Sequence, residues 1–207
     1  MRVVKEAEER KNEILDVAEV LFASKGYDNT STNDILKEVN IARGTLYYHF
    51  KSKEDILDAI ISRMETALIG RAKAVASDKS IPVLERMTMA IQALNVDSNI
   101  GSEVLAQVHK PQNALMHQKM QESLIKGVVP IITELCIEGV EAGILNTEYP
   151  AQAVEMIMIY SSVAFDDRVG LSPDELKLKV AGFIANTERI LGAKPGSMSE
   201  AILKLFA

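Results

Sequence analysis

Cysteine occurs once in the 207 residues, at Cys136, and tryptophan does not occur. A single thiol excludes an intrachain disulfide and any cysteine-based metal cage, and it fits a reducing compartment. Long apolar runs are missing too: the longest uncharged stretches, such as 87–96 and 156–165, are ten residues each, against the about twenty that a bilayer span needs. The first residues are charged and carry no apolar stretch of the kind a secretory signal requires. A cytoplasmic protein without membrane contact is the expectation. Glycine (11) and proline (6) are sparse and strand-like alternation is nearly absent, which leaves an all-helical fold. The net charge of −6 denies the chain the overall basicity of the simplest nucleic-acid binders, so any DNA binding must rest on local charge and shape.

What is present is helical periodicity. Ile14, Leu15, Ala18, Leu21 and Phe22 fall on one face of a first helix, expected from about Glu6 to Ser24, and Gly26 supplies its left-handed stop. Ser31 can cap a second, short helix, with Asp34 three residues on completing a capping box. Asn40 tolerates the left-handed turn that separates it from a third helix, Arg43 to His49. Ser52 and Asp55 open a fourth, whose apolar face from Ile56 to Leu68 carries it to about Val75. Later helices are expected from Pro82, from Gln112 to Gly143 with a kink near Gly127 and Pro130, from Pro150 towards Asp167, and from the Ser172-Pro173-Asp174-Glu175 start to Leu191. A short amphipathic piece, Ser199 to Phe206, closes the chain, and no internal repeat is visible.

Two short helices joined by a tight turn are the sequence form of a helix-turn-helix. From Val39 to Lys53 there is no acidic residue, while Arg43, His49, Lys51 and Lys53 fall in that window. At about 100° per residue, Leu46 and Phe50 share the inward face, Gly44 and Tyr48 point away, and Thr45 and Tyr47 flank them. Gly44 lets the backbone come close to a phosphate or base edge, and Tyr47, Tyr48 and His49 offer donors and rings. A basic run alone is commonly a solvated face, and Tyr47, Tyr48 and Phe50 alone could be core aromatics; the surrounding pattern decides against both.

That pattern, ILDVAEVLFASKGYDNTSTNDILKEVNIARGTLYYHFKSKEDIL from Ile14 to Leu57, resembles the DNA-binding domain of the TetR (tetracycline-repressor-like) family of transcriptional regulators. The resemblance rests on F-x-x-x-G-Y at the end of the first helix, T-S-T-x-D-I at the second, and G-T-L-Y-Y-H-F-K-S-K-E through the third and fourth. It implies a homodimer whose N-terminal three helices, within residues 1–52, bind a palindromic double-stranded operator. A larger helical domain, 53–207, joined through the long fourth helix, would bind a small effector and dimerise. Carried onto this chain, it implies that Ser31, Thr32, Arg43, Gly44, Thr45, Tyr47, Tyr48, His49 and Lys53 face DNA. Two departures stand out: Asn40 replaces the usual turn glycine, and Ala42 replaces the usual serine or threonine cap of the recognition helix, a loss that typically costs about 1 kcal/mol.

In the larger domain, methionines at helical spacing are either plain core or an adaptable ligand lining. The expected effector cavity lies between the fourth helix and segments 82–94 and 112–143, lined by Met64, Met87, Met116 and Met120, with the fourth helix as the rod that carries its displacement to the DNA-reading helices. His109 and His117 lack further ligands at metal spacing, and Cys136 lacks an evident base. No metal, cofactor or catalytic constellation is expected. Small residues at Ser161, Ser162, Ala164, Ala181, Gly182 and Ala185 on the helices 151–167 and 173–191 suit close packing against a second copy. The leading expectation is therefore a repressor released by an apolar or amphipathic ligand. The alternatives are the same architecture acting as an activator or answering to a protein partner, and a helical enzyme using Cys136 or His109.

Overall fold

The computed structural model describes residues 7–94, 110–166 and 171–206. These form nine α-helices and no strand: α1 (Ala7–Lys25), α2 (Thr32–Val39), α3 (Arg43–His49), α4 (Lys53–Ser77), α5 (Val83–Gln92), α6 (Ala114–Glu141), α7 (Pro150–Ala164), α8 (Pro173–Leu191) and α9 (Ser199–Leu203), with a 3-10 turn at Pro111–Asn113. His109 lies outside the described residues.

The starts and stops follow local chemistry. Ser31 and Asp34 form the expected capping box, the amide of Ser31 donating to the Asp34 carboxylate at 2.8 Å and the amide of Asp34 to the Ser31 hydroxyl at 3.2 Å. Ser172 and Glu175 do the same for α8. Asn40 sits in the left-handed region at φ 56° and is the one non-glycine residue with positive φ among those described. α8 ends at Gly192, φ 62°, where a Cβ would collide with the backbone carbonyl of Asn146. The expected kink at Gly127 and Pro130 does not divide α6, which continues through Pro130 as one 28-residue helix.

The chain folds as two compact units, one drawn from residues 1–66 and 96–123, the other from 67–95 and 124–207. The division expected after residue 52 is therefore not where the chain partitions by packing. Ile56, Leu57 and Ile60 of α4 belong to the first core, around Ile14, Phe22, Ile35 and Leu46. So do Met116 and Met120, from the start of α6. The second unit has its own core, including Val83, Val128, Ile132, Leu135, Val154, Phe183 and Leu191.

Within the second unit, Arg86 is 2% exposed. Its guanidinium donates to the carbonyls of Ile81 and Ala76, both at 2.9 Å, and pairs with Glu138, which Lys79 also meets. The two cations, Arg86 foremost, hold the Glu138 carboxyl at about 2, below the ordinary 4.5. A depressed carboxyl contributes stability that is fully present above its unfolded pKa and is lost as pH falls through the folded one. Glu138→Gln should thus lower the melting temperature at neutral pH, and the gap to the parent protein should close between pH 4.5 and 2. Thermal melts followed by circular dichroism across that window check this; a gap independent of pH contradicts it.

Candidate nucleic-acid interface and effector cavity

In the first unit, α3 presents the predicted outward face. Leu46 and Phe50 are 1% and 5% exposed, whereas Tyr48 is 77% and Tyr47 45% exposed. Gly44 is exposed, and a Cβ there would meet nothing within 4 Å, so folding leaves the space beside its backbone open. The Tyr48 and His49 rings meet edge to face at 5.0 Å. Ser31 and Arg43 are exposed; Thr32, Thr45, His49 and Lys53 are half-buried.

Neighbouring residues set these positions. Asn40 reverses the chain after α2, and the amide of Ile41 donates to the Leu36 carbonyl at 3.2 Å, closing the turn that aims α3. Ala42 at the start of α3 makes no side-chain cap bond, as its methyl must, and only backbone bonds begin the helix. Arg43 leans towards α2, its guanidinium 3.5 Å from the Asn33 side-chain oxygen. The Ser31 hydroxyl and amide hold the Asp34 carboxyl at about 2, so this α2 acid is committed to its own cap.

Lys53 makes intramolecular contacts that the sequence does not advertise. Its ammonium donates to the Tyr27 carbonyl at 2.7 Å and lies 4.1 Å from the centre of the Tyr27 ring. Only its remaining protons are available to a phosphate.

The second unit contains a cavity of about 240 Å³. Its walls come from α5, from Ile132 of α6, from α7 and the following Phe165, from α8, and from the C-terminal residues Met198 to Phe206. Among the described residues no charged side chain lines it. Of the four methionines expected there, Met87 is present, but Met64, Met116 and Met120 are not. The latter two are buried in the first unit's core and Met64 packs against that core, because their helical segments are committed to the first unit. α4 contributes no lining either: Ala72 is fully buried in the second core. Among the described residues, the lining residues with a polar side chain are Thr88, Ser161 and Thr187. Thr88 donates to the Leu84 carbonyl at 3.2 Å and Ser161 to the Met158 carbonyl at 3.0 Å. Thr187, 4% exposed, has a buried hydroxyl with no hydrogen-bond partner. Sequence reasoning missed it, and no local signal marks a threonine in an amphipathic helix as unpaired.

On α7 a second apolar stripe, Met156, Ile159, Tyr160 and Val163, is exposed at 62%, 47%, 51% and 69%. Leu178 of α8 is 76% exposed, and Ala181 and Gly182 beside it are exposed too. Ser161, Ser162, Ala164 and Ala185 are half-buried. Cys136 is fully enclosed, and burial pushes its thiol up, the opposite of an activated nucleophile. Among the described residues no group of three His, Cys, Asp or Glu could hold a metal ion, and no helix is long and apolar enough to cross a membrane.

Comparison with known proteins gives a family match to each part of the chain. The family of bacterial regulatory proteins, tetR family, matches residues 14–60, and a tetracyclin repressor-like C-terminal domain matches residues 95–185. The chain is 31% identical over 140 residues to the fatty acid metabolism regulator protein of Bacillus subtilis (strain 168), covering 63% of this chain and 68% of that protein. It is 52% identical over 48 residues to IcaR, the negative transcriptional regulator of the biofilm operon icaADBC in Staphylococcus aureus (strain Newman); that match spans 23% of this chain and only 26% of IcaR. In fold, it superposes on RolR in complex with resorcinol with a TM-score of 0.63 at 18% identity, covering 95% of this chain and 94% of RolR.

Proposed function

We propose, from the premise that the chain belongs to the TetR family of DNA-binding transcriptional regulators, that it is a cytoplasmic homodimeric repressor released from a palindromic operator by a small uncharged or amphipathic ligand. The observation that carries the DNA half of this reading is α3: its acid-free outer face offers Arg43, the bare backbone of Gly44, Tyr47 and Tyr48, while Leu46 and Phe50 anchor the other face. Such a helix can lie in a major groove with its N-terminal residues at base edges. Ser31, Thr32, Thr45, His49 and Lys53 flank it as phosphate contacts. The ligand half rests on the cavity and its neutral walls. RolR, of similar fold, was solved with resorcinol bound, and IcaR is a negative regulator.

Of the helices α4 and α6, which both run from one unit into the other, α6 alone supplies a lining residue, Ile132. Ligand occupancy is therefore transmitted through α6 in this reading, and a ligand acts only through its preference for the DNA-incompetent arrangement; a coupling of about 1 to 3 kcal/mol lowers operator affinity roughly 5- to 150-fold.

A gel shift on the duplex flanking the protein's own gene tests the core of the reading, with a salt-sensitive specific band as the expected result. Tyr48→Ala should lose that band without a change in melting temperature. A good contact contributes about 1 to 3 kcal/mol and the dimer carries two copies, so affinity should fall on the order of 30-fold or more. A Tyr48→Ala protein that binds like the parent, or a parent without a specific band, overturns the assignment.

A further inference from the structure

A lysine side chain rotates about every bond of its stem and loses most of that freedom when it settles on a phosphate, so an ammonium that is already held binds with less to lose. Lys53, the first residue of α4, is held in this way. Its ammonium donates to the Tyr27 carbonyl at 2.7 Å and lies 4.1 Å from the centre of the Tyr27 ring, so one residue offers both a dipole and a π face to one cation. Tyr27 is itself fixed. It is 6% exposed, its amide donates to the Asn113 side-chain oxygen at 2.6 Å, and its ring meets Phe22 edge to face at 5.1 Å. The acids that follow Lys53 in sequence are engaged elsewhere: Glu54 pairs with Lys119 at 2.8 Å, and Asp55 accepts from the Lys51 amide at 2.9 Å and the Ser52 hydroxyl at 3.0 Å.

We infer that Tyr27 is a positioning residue for DNA binding: through its carbonyl and its ring face it pre-sets the Lys53 ammonium, whose remaining protons are left to meet a backbone phosphate. The proposed interface thereby gains a buried residue from the turn after α1 that itself touches no DNA. This rests on the reading of Lys53 as a phosphate contact. Because such a contact carries no base information, the contribution of Tyr27 is the same for an operator and for an unrelated duplex.

The test weakens the ring face while leaving its shape nearly unchanged. Phenylalanine, and then phenylalanine bearing one, two and three ring fluorines, is incorporated at position 27 of the full-length protein, since each fluorine withdraws charge from the face and loosens its hold on a cation. The Tyr27→Phe protein is the reference, so loss of the phenol hydroxyl is common to the series. Affinity is read by fluorescence anisotropy on two duplexes, the one that gives the specific band and one of unrelated sequence. With two copies in the dimer, affinity should fall stepwise to about tenfold below the reference, by a similar factor on both duplexes. In a Lys53→Ala background the same series should be flat, a result that a purely structural role for the ring does not produce. A flat series with Lys53 present overturns the inference. So does affinity that rises with fluorination, because the ring then competes with the phosphate for the ammonium, and so does an equal fall in the Lys53→Ala background, which assigns the loss to the fold. Two controls separate these from failure of the broader reading. Lys53→Ala alone should weaken binding to both duplexes and reduce the salt slope by about one unit per protomer; if it leaves both unchanged, Lys53 leaves the interface and the inference falls with it. A parent protein without a specific band removes the regulator reading before position 27 is altered.

Discussion

Val163→Asp combined with Leu178→Asp should convert a dimer of about twice 22.7 kDa into a folded monomer that no longer holds a palindromic operator. These side chains are 69% and 76% exposed, so the charges meet water in the monomer and leave its core untouched. α7 is apolar on both sides: Val154, Met158 and Ser161 face the cavity, while Met156, Ile159, Tyr160 and Val163, at spacings of three and four, form the outer stripe. Apolar surface on two sides of a helix calls for cover on both, and under the proposed reading of a two-fold symmetric site the cover for the outer stripe is a second copy, packed as a helical bundle. Opposed like charges in that seam cost far more than an exposed substitution does. Splitting the dimer also removes the gain from linking two half-sites, so operator affinity should fall by about 10²- to 10⁴-fold. Sedimentation velocity and a gel shift on one sample check both outcomes. A variant that stays dimeric, or a parent that is monomeric yet binds a full palindrome, refutes the assignment of this face.

The local geometry of the proposed DNA-binding surface was legible in the sequence because it is governed by short-range rules. Ser31 with Asp34, the left-handed Asn40, the uncapped Ala42 and the opposition of Leu46 to Tyr48 each depend on residues within one or two helical turns, and each is present in the structure. The cavity was not legible in this way. Met116 and Met120 carry the same four-residue spacing whether they line a pocket or fill a core, and only long-range packing assigns them to the first unit. The rings that build the aromatic wall, Phe165, Phe183 and Phe206, are far apart in sequence, and their meeting is a property of the fold. Thr187 is the extreme case, since what distinguishes it is the absence of a neighbour. The same long-range packing explains why compact units cut across the division expected after residue 52: the segment after Lys110 returns to the first three helices.

That return underlies the last expected result: Asn113→Ala should destabilise the DNA-reading unit although residue 113 stands more than fifty positions beyond its recognition helix. Asn113 is fully buried, and its side-chain oxygen accepts the Tyr27 amide at 2.6 Å, while the amide of Asp28 donates to the Gln112 carbonyl at 3.0 Å. Tyr27 is thus held three ways: its amide by Asn113, its carbonyl by Lys53, and its ring edge-on against Phe22 at 5.1 Å. Lys119 adds ion pairs to Glu54 at 2.8 Å and Asp58 at 2.6 Å, but these partners are exposed and contribute little. Truncation at Asn113 strands a buried backbone donor, which costs about 1 to 3 kcal/mol, and for a chain of this size each kcal/mol shifts the melting temperature by about 2 to 4 °C. Because Tyr27 leads directly into the Ser31 cap of α2, operator affinity should fall with stability, whereas the second unit's own core should be unchanged. Thermal melts and gel shifts on this variant check both effects. An Asn113→Ala protein that melts like the parent removes this segment from the fold of the first unit.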